Sequence, residues 1–138
     1  MRLITALSAL ALIASSVPAG SEDVPEWTYI GTTDSGTVIR AKTSDLLAGR
    51  SNQTAAKVWV RMDASKDASV QFREAMTLYA VNCVAETYHT IQVTTYWRFR
   101  SPQTEPGSSG TRFVIPGTHM ETLKDMLCSD PGAQPDYR

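Results

Sequence analysis

Between positions 27 and 115 the chain repeatedly alternates apolar and polar side chains, the period of strands with one buried and one wet face. The clearest run is residues 56–63, where Val58, Val60 and Met62 stand opposite Lys57, Trp59, Arg61 and Asp63. Residues 88–99 alternate likewise, with Ile91, Val93, Trp97 and Phe99 on one side and Thr90, Gln92, Thr94 and Arg98 on the other. Residues 70–83 read as the intervening strand. Their apolar positions begin at Val70 and Phe72, continue at Met76 and Leu78, then move to Val81 and Cys83, a change of phase that predicts a bulge near Tyr79 and Ala80. A helical stripe through Phe72, Ala75, Met76 and Tyr79 is the competing reading of that segment.

Residues 27–30 and 37–41 alternate around the turn signal Asp34, Ser35, Gly36, and predict a first hairpin. Thr43 to Leu47 suffices for one helical turn. Residues 101–110, with two prolines, two glycines and no apolar side chain, predict a mobile loop, and residues 112–115 a last strand. Thr118 and Glu121 then have the spacing of a capping box. Met120, Leu123 and Leu127 follow as one apolar stripe, so a short helix is expected to end near Cys128. A helix that short is not stable alone in water, and needs its leucines and its cysteine to hold it.

The N-terminus adds a compartment to this picture. One cation, Arg2, precedes an apolar run of about a dozen residues and the small residues around Ala19, the form of a secretory signal. The run is shorter than the roughly 20 residues of a spanning helix, so residues 1–19 are expected to be cleaved, leaving no membrane span. No cysteine lies near the cut to take a lipid anchor. Residues 20–26 read as a flexible lead-in, 27–130 as the domain and 131–138 as a flexible tail. Loss of Arg2 changes the formal net charge from −1 to −2. Balanced, scattered charge of that kind speaks against a nucleic-acid partner. In an oxidising compartment the two cysteines, Cys83 beside a strand and Cys128 closing the helix, are expected to bridge and tie helix to sheet.

Catalytic and metal-binding patterns are missing from the sequence. His89 and His119 lie on different predicted elements without flanking ligands, and no metal or cofactor is expected. Asp63, Asp67, Glu74 and Glu86 are spread along strands and turns, and there is no nucleophile elbow, P-loop or dinucleotide fingerprint. Asn52, Gln53 and Thr54 fit the glycan-acceptor triplet, which is common by chance and reads here as plain loop. What remains is a surface: Trp59 and Arg61 share one strand face, Tyr96 and Arg98 another, and Arg73 stands between them. Aromatics with arginine are enriched at interface hot spots. The plainer reading has the aromatics border the core while the arginines keep the sheet soluble.

Residues 78–83, 88–96, 115–118 and 123–128, in that order and spacing, resemble the surface-adhesin protein E family of small secreted bacterial domains. The resemblance spans residues 27–128. It implies an α+β fold: an antiparallel sheet of about six strands with a C-terminal α-helix packed on it and disulfide-bridged to it through Cys83 and Cys128. It also implies adhesion to host matrix and plasma proteins such as vitronectin and laminin through a basic stretch before the first cysteine. Here the matching residues 57–79 carry Lys57, Arg61, Lys66 and Arg73 but also Asp63, Asp67 and Glu74, a near balance that departs from the family's basic stretch. The expected function is therefore a secreted, non-enzymatic envelope or adhesin-like domain, periplasmic or extracellular. It contacts another protein through its sheet face, and pairing as a homodimer through open faces or edges is an option. The alternatives are a small periplasmic enzyme or enzyme inhibitor acting through residues 101–110, and a purely structural envelope component.

Overall fold

A computed structural model describes residues 25–48, 51–108 and 110–129. The expected signal segment, most of the lead-in and the expected tail lie outside the described residues. The alternating run at Ala56–Asp63 forms β3, with Ala56, Val58 and Val60 buried and Lys57 exposed. Around it lie β1 (Trp27–Thr32), β2 (Val38–Lys42), β4 (Phe72–Asn82), β5 (Thr87–Trp97), β6 (Gln103–Pro106) and β7 (Arg112–Phe113). These strands form one antiparallel sheet in the order β1-β2-β3-β4-β5-β6, with β7 also on β5. A helical turn α1 (Thr43–Leu46) and a helix α2 (His119–Cys128) complete the described fold. The α+β architecture read from the sequence is thus present, with the competing helix at Phe72 to Leu78 replaced by strand.

The register of β3 and β4 shows which side chains share a face. Val58 lies opposite Tyr79, Val60 opposite Thr77 and Met62 opposite Ala75, on the side that α2 covers. Trp59 lies opposite Leu78 and Arg61 opposite Met76, on the other side. The change of phase in β4 lies earlier than expected: the odd positions from Ala75 to Val81 face the helices, and Arg73 is the extra residue that shifts the register between Phe72 and Glu74. Met76 and Leu78 only seemed to lie in the core because both faces of β4 carry apolar side chains. The expected irregularity is present between Leu78 and Tyr79, but its extra residue is Ile91 on β5. The bulge places Tyr88 and Thr90 on the same face as Val93 and Thr95. Thr90 therefore leaves the wet face on which simple alternation had put it.

Two further expectations are corrected beyond β5. Phe99, expected in the core, is 97% exposed, because the strand ends at Trp97 and the backbone bends there. Residues 101–110, expected as a mobile loop, contain β6, which lies antiparallel to residues 92–95 of β5. Thr94 and Thr104 share a hydroxyl hydrogen bond at 2.9 Å, and the Gly107 amide donates to the Ile91 carbonyl at 2.8 Å. A Cβ on Gly107 would lie 1.8 Å from the Thr90 carbonyl oxygen, so only glycine permits this approach. The last strand is shorter than expected, and Ile115 is exposed.

The core joins Ile30, Ala41, Leu46, Val58, Val60 and Val81 to Leu123 and Leu127 of α2, with Met120 against its border. The Thr118 hydroxyl caps α2, accepting from the Glu121 amide at 3.4 Å. Glu121 reaches back to the Gly117 amide, at 2.7 Å. Cys83 and Cys128 are bonded, with their Cα atoms 5.6 Å apart and a sequence separation of 45. Closing a loop of that length stabilises the fold by ~4 kcal/mol in the chain-entropy model.

Candidate functional site

Both helices lie on one side of the sheet, and the opposite side carries no described element. Across β1, β2 and β3 that open side presents Tyr29, Arg40 and Arg61 in one row, continued by Met76 on β4 and Thr94 on β5. A parallel row carries Val38, Asp63, Glu74 and Tyr96. Trp59 and Tyr96 line a shallow hollow of about 300 Å³ together with Trp27, Met76, Glu26 and Lys42. Tyr96 also lines an adjoining open hollow of about 540 Å³ with Arg61, Arg73 and Glu74. The structure therefore brings four of the singled-out residues, Trp59, Arg61, Arg73 and Tyr96, onto one continuous surface.

Trp27 and Met76 belong to the same surface and were missed. Met76 looked like core because its neighbours on both sides of the sheet are apolar. Trp27 begins a strand too short for its facing to be read alone.

The charges on this surface are not loose. The Arg61 guanidinium donates to Glu74 at 2.9 Å, and this bond keeps Arg61 cationic above its ordinary range. The pair is partly exposed, at 35% and 28% of the two side chains, so it contributes less than about 1 kcal/mol. Arg61 Nε is buried and has no hydrogen-bond partner. Arg73 is exposed and lines the second hollow beside Glu74.

Arg98 does not belong to the site. Because β5 ends one residue earlier, its guanidinium turns to the β3–β4 connection and donates to the carbonyls of Ala64 at 2.7 Å and Asp67 at 3.0 Å. Its role is to hold a turn. Asp67, unremarkable in the sequence, is the polar centre of that end of the molecule. Its carboxylate accepts from Ser69, from the Thr37 hydroxyl at 2.6 Å and from the Ser35 hydroxyl at 2.7 Å. These bonds hold the carboxyl well below the usual carboxylate range although the residue is buried. A carboxylate so fixed carries no proton at neutral pH and has no lone pair directed to solvent, so its chemistry is structural.

The remaining candidate groups are also engaged. Hydrogen bonds from Ser65, first its side chain and then its amide at 3.0 Å, lower the pKa of Asp63, and Glu86 accepts from Lys124 at 2.7 Å, which raises that of the lysine. Burial pushes the Tyr79 phenol up as it packs edge-on against Tyr88, with ring centres 5.9 Å apart. His119 packs on Gly31, where an added Cβ would lie 2.3 Å from Nδ1, and His89 is on β5. Among the described residues no group of three or more His, Cys, Asp or Glu side chains is placed to hold a metal ion. No described helix is long and apolar enough to cross a membrane. No family model, curated protein or solved structure matches this chain.

Proposed function

We propose that the chain is an exported, non-enzymatic binding domain of the bacterial envelope, of the surface-adhesin protein E kind, acting in the periplasm or outside the cell. Its contact surface is the open face of the sheet around Trp27, Trp59, Met76 and Tyr96, with Arg73 at its margin. One observation carries this reading. An antiparallel sheet with helices on one side normally puts polar residues on the other, whereas this one leaves two tryptophans, a tyrosine and a methionine there, half-buried among charges. Aromatic and methionine side chains bordered by arginine are the residue types enriched at protein contacts. The disulfide suits an oxidising compartment. The engagement of Asp63, Asp67, Glu74 and Glu86 with donors supports a binding role over acid–base catalysis.

Affinity capture from the native host with the full exported protein tests this. A protein retained by the wild type is expected to be lost with Trp59→Ser and weakened with Arg73→Glu, while both variants keep the disulfide. Equal retention by wild type and variants overturns the reading. Capture of a second copy of the chain would identify the contact as a homodimer.

A further inference from the structure

A second surface lies at the end of the sheet away from the disulfide. There the β3–β4 connection and the bend after β5 enclose an open cleft of about 700 Å³. That is within the range of about 300–1,000 Å³ typical of ligand sites. Lys66, Arg98 and Arg100 are among its lining residues, and no carboxylate is. The Asp67 carboxylate lies outside the lining, its oxygens bonded to Ser35, Thr37 and Ser69. Arg98 spends its hydrogen bonds on two neutral carbonyls, which satisfy its donors and leave its charge unneutralised.

Two aromatic side chains give this positive cleft a direction. The Arg100 guanidinium lies 3.7 Å from the centre of the Trp97 ring, a stacking that fixes both groups at the cleft. Trp97 Nε1 is buried without a hydrogen-bond partner, a donor that native proteins seldom leave unpaired. Phe99, on the cleft wall, is 97% exposed. An occupant matching this set supplies anionic oxygens for Lys66 and Arg100 and an apolar group for Phe99. A lone inorganic anion meets the first demand and not the second.

We propose that this cleft binds an acidic peptide segment of a partner protein, its carboxylates on Lys66 and Arg100 and an apolar side chain against Phe99. The site shares no aromatic residue with the open sheet face, and stands or falls separately from it.

The test uses the full exported protein and the peptide acetyl-Asp-Glu-Phe-Asp-Glu-Phe-amide, followed by heteronuclear NMR of the tryptophan indole N–H signals. Trp97→Phe assigns the Trp97 signal. The expected result is a saturable shift of that signal, with binding at least about tenfold weaker for the Asn/Gln counterpart of the peptide and for Lys66→Glu or Arg100→Glu. Arg73→Glu should bind like the wild type. Unchanged Trp27 and Trp59 signals show that the variants are folded, and Lys66, on an exposed turn, is the variant least able to disturb folding. The proposal is overturned by absence of the shift, by equal binding of the uncharged peptide, or by inorganic phosphate alone reproducing the shift. Binding lost in Arg73→Glu but kept in Arg100→Glu also overturns it, and assigns the peptide to the sheet face.

Discussion

At one end of the sheet Cys83 and Cys128 are joined covalently, and at the other Asp67 and Arg98 close the turns by hydrogen bonds alone. Both devices tie distant segments together, but they respond to different conditions. The disulfide answers to reductant and is indifferent to mild acid. The Asp67 centre answers to pH and is indifferent to reductant. The contrast follows from what each end must hold. α2 is ten residues long and rests on Leu123 and Leu127, too little to keep a short helix in place unaided. The turns at the other end are continuous with long paired strands and need only local fixing.

The largest effect expected from breaking this pairing of devices is at the disulfide. Replacing both cysteines by serine should cost ~4 kcal/mol in urea unfolding, and α2 should lose its hydrogen-exchange protection before the sheet does. A loss below about 1 kcal/mol would mean that the helix is held by packing alone. Arg98→Met comes next. It removes the side-chain donor from the Asp67 carbonyl and leaves the Ala64 carbonyl with the Asp67 amide alone, and should cost about 1–3 kcal/mol, with little change under reducing conditions.

The third effect is a pH dependence. Asp67 has a folded-state pKa lowered below its unfolded value of about 3.9. Its contribution is therefore complete above that pH and is lost progressively as the pH falls toward the folded value. Asp67→Asn should flatten the acid limb of the stability curve and leave the profile above pH ~5 parallel to that of the wild type. A variant whose acid limb matches the wild type would place the acid sensitivity elsewhere. The smallest effect belongs to the open face: Arg73→Glu should change stability by less than about 0.5 kcal/mol, which separates a contact residue from a structural one such as Arg98.

How far the sequence could be read depends on whether a contact leaves a local trace. β3 was legible because Val58 and Val60 alternate with Lys57 and Arg61 within a few residues. The start and buried face of α2 were legible because Thr118 and Glu121 form the cap and Leu123 and Leu127 form the stripe. β6 left no trace, since its residues are all exposed and it is held by backbone bonds and by Gly107. Asp67 was invisible because Ser35 and Thr37 lie 32 and 30 residues away. The proposed contact surface was half legible. Trp59, Arg61, Arg73 and Tyr96 were singled out, Met76 was misplaced by a two-sided apolar strand, and Arg98 was misassigned because alternation cannot reveal where a strand ends.

Oxidative footprinting of the protein, on the cells that make it and again after purification, tests the two-faced sheet most directly. Trp59, Met76 and Tyr96 should be shielded on the cells and more readily oxidised once purified, while Met120, on α2 at the border of the core, is oxidised to the same extent in both. Equal oxidation of Trp59, Met76 and Tyr96 in the two settings would contradict a contact through the open face.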